Sequence, residues 1–122
     1  MLPFTYYTAN ITLSRILAYL VNAATTYLKR KKFEEAILYS SQVLKSTGGM
    51  TELTRAKALY TRALATFSHY TLDATLNVHE VHQSCIDDLN NAVKLQGKKP
   101  SAQVSKLLKN IVQEQNKYVL RR

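Results

Sequence analysis

Apolar residues recur at intervals of three and four along five segments of this 122-residue chain, and this spacing predicts amphipathic helices. Only three glycines and two prolines are present, so there is little material for the tight turns of an all-β fold. No segment alternates apolar and polar residues over a useful length. We therefore expect a single all-α domain with about five helices.

Local start and stop signals divide the five segments. The second apolar pattern begins at Phe33 and ends before Gly48 and Gly49, which are typical of helix C-termini. Thr51 and Ser101 are expected to cap the N-termini of the third and fifth helices. The fourth segment has the most regular apolar stripe, formed by Val78, Val81, His82, Cys85, Ile86, Leu89, Ala92 and Val93.

The charge of the chain is strongly basic, with 17 Lys and Arg against 8 Asp and Glu and a net charge of +9. Arg15 is the only charged side chain before Lys29, whereas residues 94–122 combine many basic residues with a single acidic one, Glu114. This balance favours an acidic partner, such as nucleic acid, an anionic membrane surface or an acidic peptide.

Targeting signals and disulfides are not expected. The chain lacks a basic start followed by an unbroken apolar stretch, and residues 13–28 are too short and too interrupted by polar residues to span a bilayer. A single cysteine, Cys85, excludes an internal disulfide and fits a reducing compartment. We expect a cytoplasmic or nuclear protein without a transmembrane segment.

Residues 22–45, NAATTYLKRKKFEEAILYSSQVLK, resemble a tetratricopeptide repeat, a helical hairpin that stacks into a superhelix. Ser40 departs from this pattern, because the family usually has an aromatic residue there. The matching small, aromatic and alanine positions are Ala24, Tyr27, Phe33 and Ala36.

A second copy of the repeat can be traced further along the chain. Residues 58–67 resemble the first helix of such a repeat, and residues 85–95 resemble the second, but roughly ten extra residues separate them. The resemblance implies antiparallel helical hairpins stacked as a short superhelix. Its parts would be an N-terminal arm (1–10), repeat 1 (11–49), repeat 2 (51–97) with an insertion near 68–78, and a capping helix (101–121).

The same resemblance implies a non-enzymatic scaffold or adaptor, because the family binds protein ligands along the first helices of its repeats. The expected ligand is a peptide or amphipathic helix of a partner protein, with acidic flanks. The chain itself could act as a small subunit of a larger complex. A clamp for chaperone C-termini is disfavoured, since Val21, Thr25 and Thr61 replace the expected polar and basic residues. The implied partner-contacting residues are Val21, Thr25, Leu28, Lys29, Lys57, Tyr60, Thr61, Leu64, Ser68 and Lys106.

Residues suited to catalysis or metal binding are few. His79, His82 and Cys85 follow one another at intervals of three, as zinc ligands can, but a structural zinc site needs four ligands. His82 and Cys85 also fall on the apolar stripe, where we expect core residues. Asp87 and Asp88 are adjacent and point to different faces of a helix. We expect no enzymatic activity, no metal and no cofactor.

The basic run from Lys29 to Lys32 has two readings. Cations at the end of one helix, and Glu34 and Glu35 at the start of the next, match the helix dipoles, so the run is explained as a solvated turn. The alternative is a basic helical module that binds nucleic acid, which would need aromatic platforms among the cations. Tyr27 is expected to be committed to packing.

Two further hypotheses remain. The chain could be a helical module of the microtubule-interacting-and-trafficking type that acts near membranes. The apolar N-terminal arm could dock on the groove of its own chain, or across a two-fold axis to form a homodimer. The apolar and aromatic residues of the arm are Leu2, Phe4, Tyr6 and Tyr7.

Overall fold

Five α-helices follow one another along the chain in a computed structural model of the protein. The structure describes the backbone of residues 2–46, 48–72, 78–96 and 101–120, and the side chains of residues 13–46, 48–69, 80–96 and 101–116. No strand occurs in these residues, and the all-α prediction is confirmed. The helices are α1 (Leu2–Lys29), α2 (Phe33–Lys45), α3 (Glu52–Leu72), α4 (Val78–Gln96) and α5 (Ala102–Leu120).

The turn between α1 and α2 is closed by two backbone hydrogen bonds. The amide of Lys32 donates to the carbonyl of Tyr27 (2.9 Å), and the amide of Lys31 donates to that of Leu28 (3.0 Å). This pair of bonds is the Schellman motif, in which the residue that reverses the chain is usually glycine. Here Lys31 occupies that position with φ 62°, at a steric cost of about 1 kcal/mol.

The predicted N-caps of α3 and α5 are confirmed. The hydroxyl of Thr51 accepts a hydrogen bond from the amide of Thr54 (3.1 Å), and the hydroxyl of Ser101 accepts one from the amide of Val104 (3.2 Å). Each bond satisfies a backbone donor that the first turn of a helix leaves without a partner. Both helices therefore begin where the sequence predicted.

The connection between α2 and α3 passes close to α1. Gly49 has φ +80°, and a Cβ atom built on it would lie only 2.6 Å from Cδ2 of Leu13. Gly48, by contrast, has no atom within 4 Å of its virtual Cβ. Of the two glycines, Gly49 is therefore the one that the backbone conformation and the packing require.

The helices form two layers, with α3 at the centre. Helix α3 contacts each of the other four helices, and it lies between α1 and α5 in one layer. Helices α2 and α4 form the second layer, but no pair of their described Cα atoms comes within 8 Å. The helices of the first layer therefore lie closer to one another than those of the second, and we call the solvent side of α1, α3 and α5 the concave face.

Two hydrophobic clusters hold the layers together, and α3 contributes to both. The smaller cluster joins α1, α2 and α3 through Leu17, Val21, Val43 and Ala58. The larger cluster joins α3, α4 and α5, and it includes the fully buried Leu89 and Ile111. Its remaining buried members are Ala56, Leu59, Ala63, Cys85, Ala92, Val104 and Leu107.

The structure defines parts of two regions whose conformation the sequence left open, the N-terminal arm and the insertion in the second repeat. Helix α1 begins at Leu2, so from that residue on, the segment predicted as an N-terminal arm (1–10) continues the first helix. Helix α3 extends to Leu72 and α4 begins at Val78, so the ends of the predicted insertion (68–78) are helical. Residues 73–77 lie outside the described part of the chain.

Candidate functional site

The two helix layers carry charges of opposite sign. Helix α1 has two basic residues and no acidic one, and α3 and α5 each have three basic residues and one acidic residue, Glu52 and Glu114 respectively. In the other layer, α2 has one basic and two acidic residues, and α4 has one basic and three acidic residues. The layer with the concave face is therefore net positive, while the opposite layer is net negative.

Four residues of α3, spaced three, four and four apart, share one side of the helix: Lys57, Tyr60, Leu64 and Ser68. Of these four residues, Lys57 is exposed and the other three are half-buried. Its ammonium group donates a hydrogen bond to Oδ1 of Asn22 on α1 (3.2 Å). This bond shows that the face of α3 with Lys57 adjoins the neighbouring helix α1.

The floor of this face is apolar. Tyr60 and Leu64 pack against the cluster between α3, α4 and α5, and both keep part of their surface in solvent. Burial raises the pKa of the Tyr60 hydroxyl above its usual value, because a phenolate would be poorly solvated there. A neutral aromatic edge and an aliphatic side chain thus lie between the cationic side chains of this layer.

Two of the ten residues implied by the repeat resemblance are buried. Val21 is 2 % exposed and packs in the smaller cluster with Val43 and Ala58, and Thr61 is also 2 % exposed. The resemblance implied that both side chains face outward, and this expectation is wrong. Neither side chain reaches the surface where a partner could bind.

The other implied residues of α1 and α5 reach the surface to different degrees. Thr25 is half-buried, and its hydroxyl donates to the carbonyl of Val21 (2.9 Å). Leu28 is half-buried, whereas Lys29 on α1 and Lys106 on α5 are exposed. Whether they contact a partner remains a prediction.

An ion pair that the sequence analysis missed links α3 to α4. The guanidinium of Arg62 donates two hydrogen bonds to the carboxylate of Asp88, at 2.8 Å from Nε and 2.7 Å from Nη2. The Asp88 side chain is only 8 % exposed, and its hydrogen bonds raise the pKa of Arg62. The sequence does contain a signal for it. Asp88 lies three residues after Cys85, beside the apolar stripe, and a carboxylate at such a position indicates a buried charge that needs a partner.

Cys85 and His82 are core residues. The Cys85 thiol is fully buried and donates to the carbonyl of Ala63 (3.4 Å), and burial raises its pKa to about 12. This change is opposite to the one that activates a nucleophilic thiolate. The buried ring of His82 lies 6.1 Å from that of Phe67, and the side chain of His79 lies outside the described residues.

Within the described part of the chain, no group of three His, Cys, Asp or Glu side chains is arranged to hold a metal ion. None of the helices, over the same residues, is long and apolar enough to cross a membrane. Comparisons of the chain with protein-family models, curated proteins and solved structures found no match.

Proposed function

We propose that this protein is a non-enzymatic adaptor of the tetratricopeptide type, which binds a segment of a partner protein along the concave face of α1, α3 and α5. The observation that carries the proposal is the combination on one face of half-buried apolar side chains and exposed cations. This combination is typical of surfaces that bind amphipathic peptides, in which apolar anchors give affinity and charges give register.

The charge distribution supports a ligand with acidic flanks. Helix α1 contains no acidic residue, and in α3 the only carboxylate, Glu52, lies in the first turn. A peptide along this face would therefore meet Lys57 and Lys29 without a competing carboxylate from α1 or from the central part of α3. Tyr60 and Leu64 would receive its apolar anchors.

The order of the helices supports the repeat assignment. In a tetratricopeptide array, the first helices of successive hairpins form the inner layer. The contacts of α3 with α1 and α5, and the lack of contact between the described residues of α2 and α4, support such an arrangement. Under this proposal α1 and α2 are repeat 1, α3 and α4 are repeat 2, and α5 is the capping helix. A cytoplasmic or nuclear location belongs to the same proposal.

Affinity capture from a cell lysate tests the groove by comparing a variant of the concave face with a charge-reversal variant of the opposite helix layer. The bait proteins are the wild type, a Lys57→Glu/Tyr60→Ala variant of the concave face, and a Lys45→Glu control. Lys45 is exposed near the end of α2, in the opposite layer, so the control makes the same charge change away from the groove. Nuclease is added to every sample to remove nucleic-acid bridges.

We expect proteins that bind the wild type and the Lys45→Glu control but not the groove variant. Competition by a synthetic peptide from the bound protein should then displace it, and the peptide should contain apolar residues flanked by Asp or Glu. If the same proteins bind all three baits, or if nuclease removes all of them from the wild type, the groove is not the binding surface.

A further inference from the structure

A second surface, on the solvent face of α1, contains a pocket of about 330 Å³. Tyr19 lies at one end of the pocket and is 74 % exposed, whereas Arg30 lies at the other end, beside the turn to α2. Ala23 provides a small side chain between them. The pocket is completed by Asn22, Thr26 and Tyr27.

The aromatic rings of this pocket differ in their freedom. The ring of Tyr27 stacks on that of Tyr39 from α2, with centroids 5.3 Å apart and planes 10° from parallel. Tyr27 is therefore held in place, while Tyr19 has most of its surface in solvent. An exposed aromatic ring beside a fixed one can stack a planar ligand without rearrangement of the backbone.

The basic end of the pocket continues into the four consecutive cations Lys29–Lys32, all of which are exposed. Among the described residues, none of these cations lies within 4.0 Å of a carboxylate, since the only ion pairs involve Arg62 and His69. Glu34 and Glu35 follow in the sequence and leave the local balance positive. Four unpaired cations in a row suit a ligand with repeated negative charges.

The backbone of the turn gives a second reason to assign a role to these cations. Lys31 occupies the left-handed position of the Schellman motif, which glycine adopts without steric strain. The helix dipole accounts for cations near the end of α1, but it does not account for a lysine in this conformation. Strain of this kind is a feature of binding and switch sites.

We infer that this surface binds single-stranded nucleic acid, with a base stacked on Tyr19 in the pocket and the adjoining phosphates on Arg30, Lys31 and Lys32. Aromatic rings next to a basic track are the features that sequence-tolerant binding of single strands requires. An acidic peptide would use the cations but would gain little from an exposed tyrosine ring. The pocket adjoins the groove assigned to the protein partner, since its residue Asn22 accepts the hydrogen bond of Lys57.

Fluorescence anisotropy with fluorescein-labelled dT12 and rU12 tests the inference on the full chain. Binding is measured from 50 to 200 mM KCl for the wild type and for Tyr19→Ala, Tyr19→Phe and Lys31→Gly. The Lys31→Gly change removes one cation and relieves the strained backbone, so a loss of binding cannot come from unfolding. Lys45→Ala, on α2, is the control for the loss of one positive charge.

We expect Tyr19→Ala to weaken binding about tenfold and Tyr19→Phe to change it less than twofold, because phenylalanine keeps the stacking surface. Each phosphate contact adds about 0.7 to the slope of log K against log salt for single strands. Lys31→Gly should therefore make that slope shallower by about 0.7, while Lys45→Ala leaves it unchanged.

Three results would overturn the inference. The first is no binding of either oligonucleotide at 50 mM KCl. The second is binding by Tyr19→Ala within twofold of the wild type, which would show attraction by charge without stacking. The third is competition in which polyglutamate displaces labelled dT12 as effectively as unlabelled dT12 does at the same concentration of negative charge. This result would identify an acidic polypeptide as the ligand.

Discussion

Replacement of Asp88 by alanine should destabilise the protein far more than replacement of its neighbour Asp87. Asp88 is almost completely buried and accepts both hydrogen bonds of the Arg62 guanidinium. The Asp87 side chain, on an exposed residue, only accepts a hydrogen bond from Gln83 (2.9 Å). The two substitutions remove the same group one position apart on α4, so Asp87→Ala is a matched control.

The loss of stability in Asp88→Ala depends on how well the charge of Arg62 is solvated once its partner is absent. Removal of one partner from a fully buried ion pair costs about 3–5 kcal/mol, since the other charge stays in the interior without compensation. The Arg62 side chain is 30 % exposed, so its guanidinium regains part of its hydration when Asp88 is removed. We therefore expect a loss of about 2–3 kcal/mol in the free energy of unfolding for Asp88→Ala.

Urea denaturation followed by circular dichroism measures this loss, with the thermal midpoint as a second observable. For a chain of this length, each kcal/mol lowers Tm by about 4 °C, so we expect a decrease of about 8–12 °C. Asp87→Ala should stay within about 0.5 kcal/mol of the wild type. Equal destabilisation by the two substitutions would refute the assignment of the ion pair as a link between α3 and α4.

Three shorter predictions follow from other features. Cys85 should react with a thiol reagent at pH 8 only as fast as the protein opens, because its buried thiol has a pKa of about 12; rapid labelling of the native protein would contradict this. Lys31→Gly should raise the free energy of unfolding by about 1 kcal/mol in urea denaturation. Gly49→Ala should lower it by about 1–2 kcal/mol, since φ +80° and the contact with Leu13 both oppose a Cβ atom; unchanged stability would argue against this path of the chain.

The helices were predictable because their signals are local. The spacing of apolar residues located all five, and the capping hydroxyls of Thr51 and Ser101 set two of the starts within one residue. The start of α1 was placed too late, since the apolar stripe was traced only from Leu13. The region before it has no charged residue to mark a polar face, although its backbone is helical from Leu2.

The surfaces were harder to predict, because they depend on how the helices pack. Val21 and Thr61 were expected to face outward, but both are buried, Val21 within the cluster between α1, α2 and α3. Tyr19 was not selected in the sequence, although it lies off the apolar stripe of α1 and could have been recognised as exposed on that ground. The pairing of Arg62 with Asp88 joins positions 26 residues apart, and no local pattern specifies it.

The central position of α3 has a consequence for how the molecule unfolds. Stacked repeats usually lose their terminal units separately, because each unit contacts only its neighbours. Here α3 contributes to both hydrophobic clusters and contacts every other helix. Neither α1 and α2 on one side nor α4 and α5 on the other can therefore detach without exposing part of α3. In hydrogen–deuterium exchange, the amides of α3 should be the last to exchange, and the slowest of them should report the global opening of the whole chain.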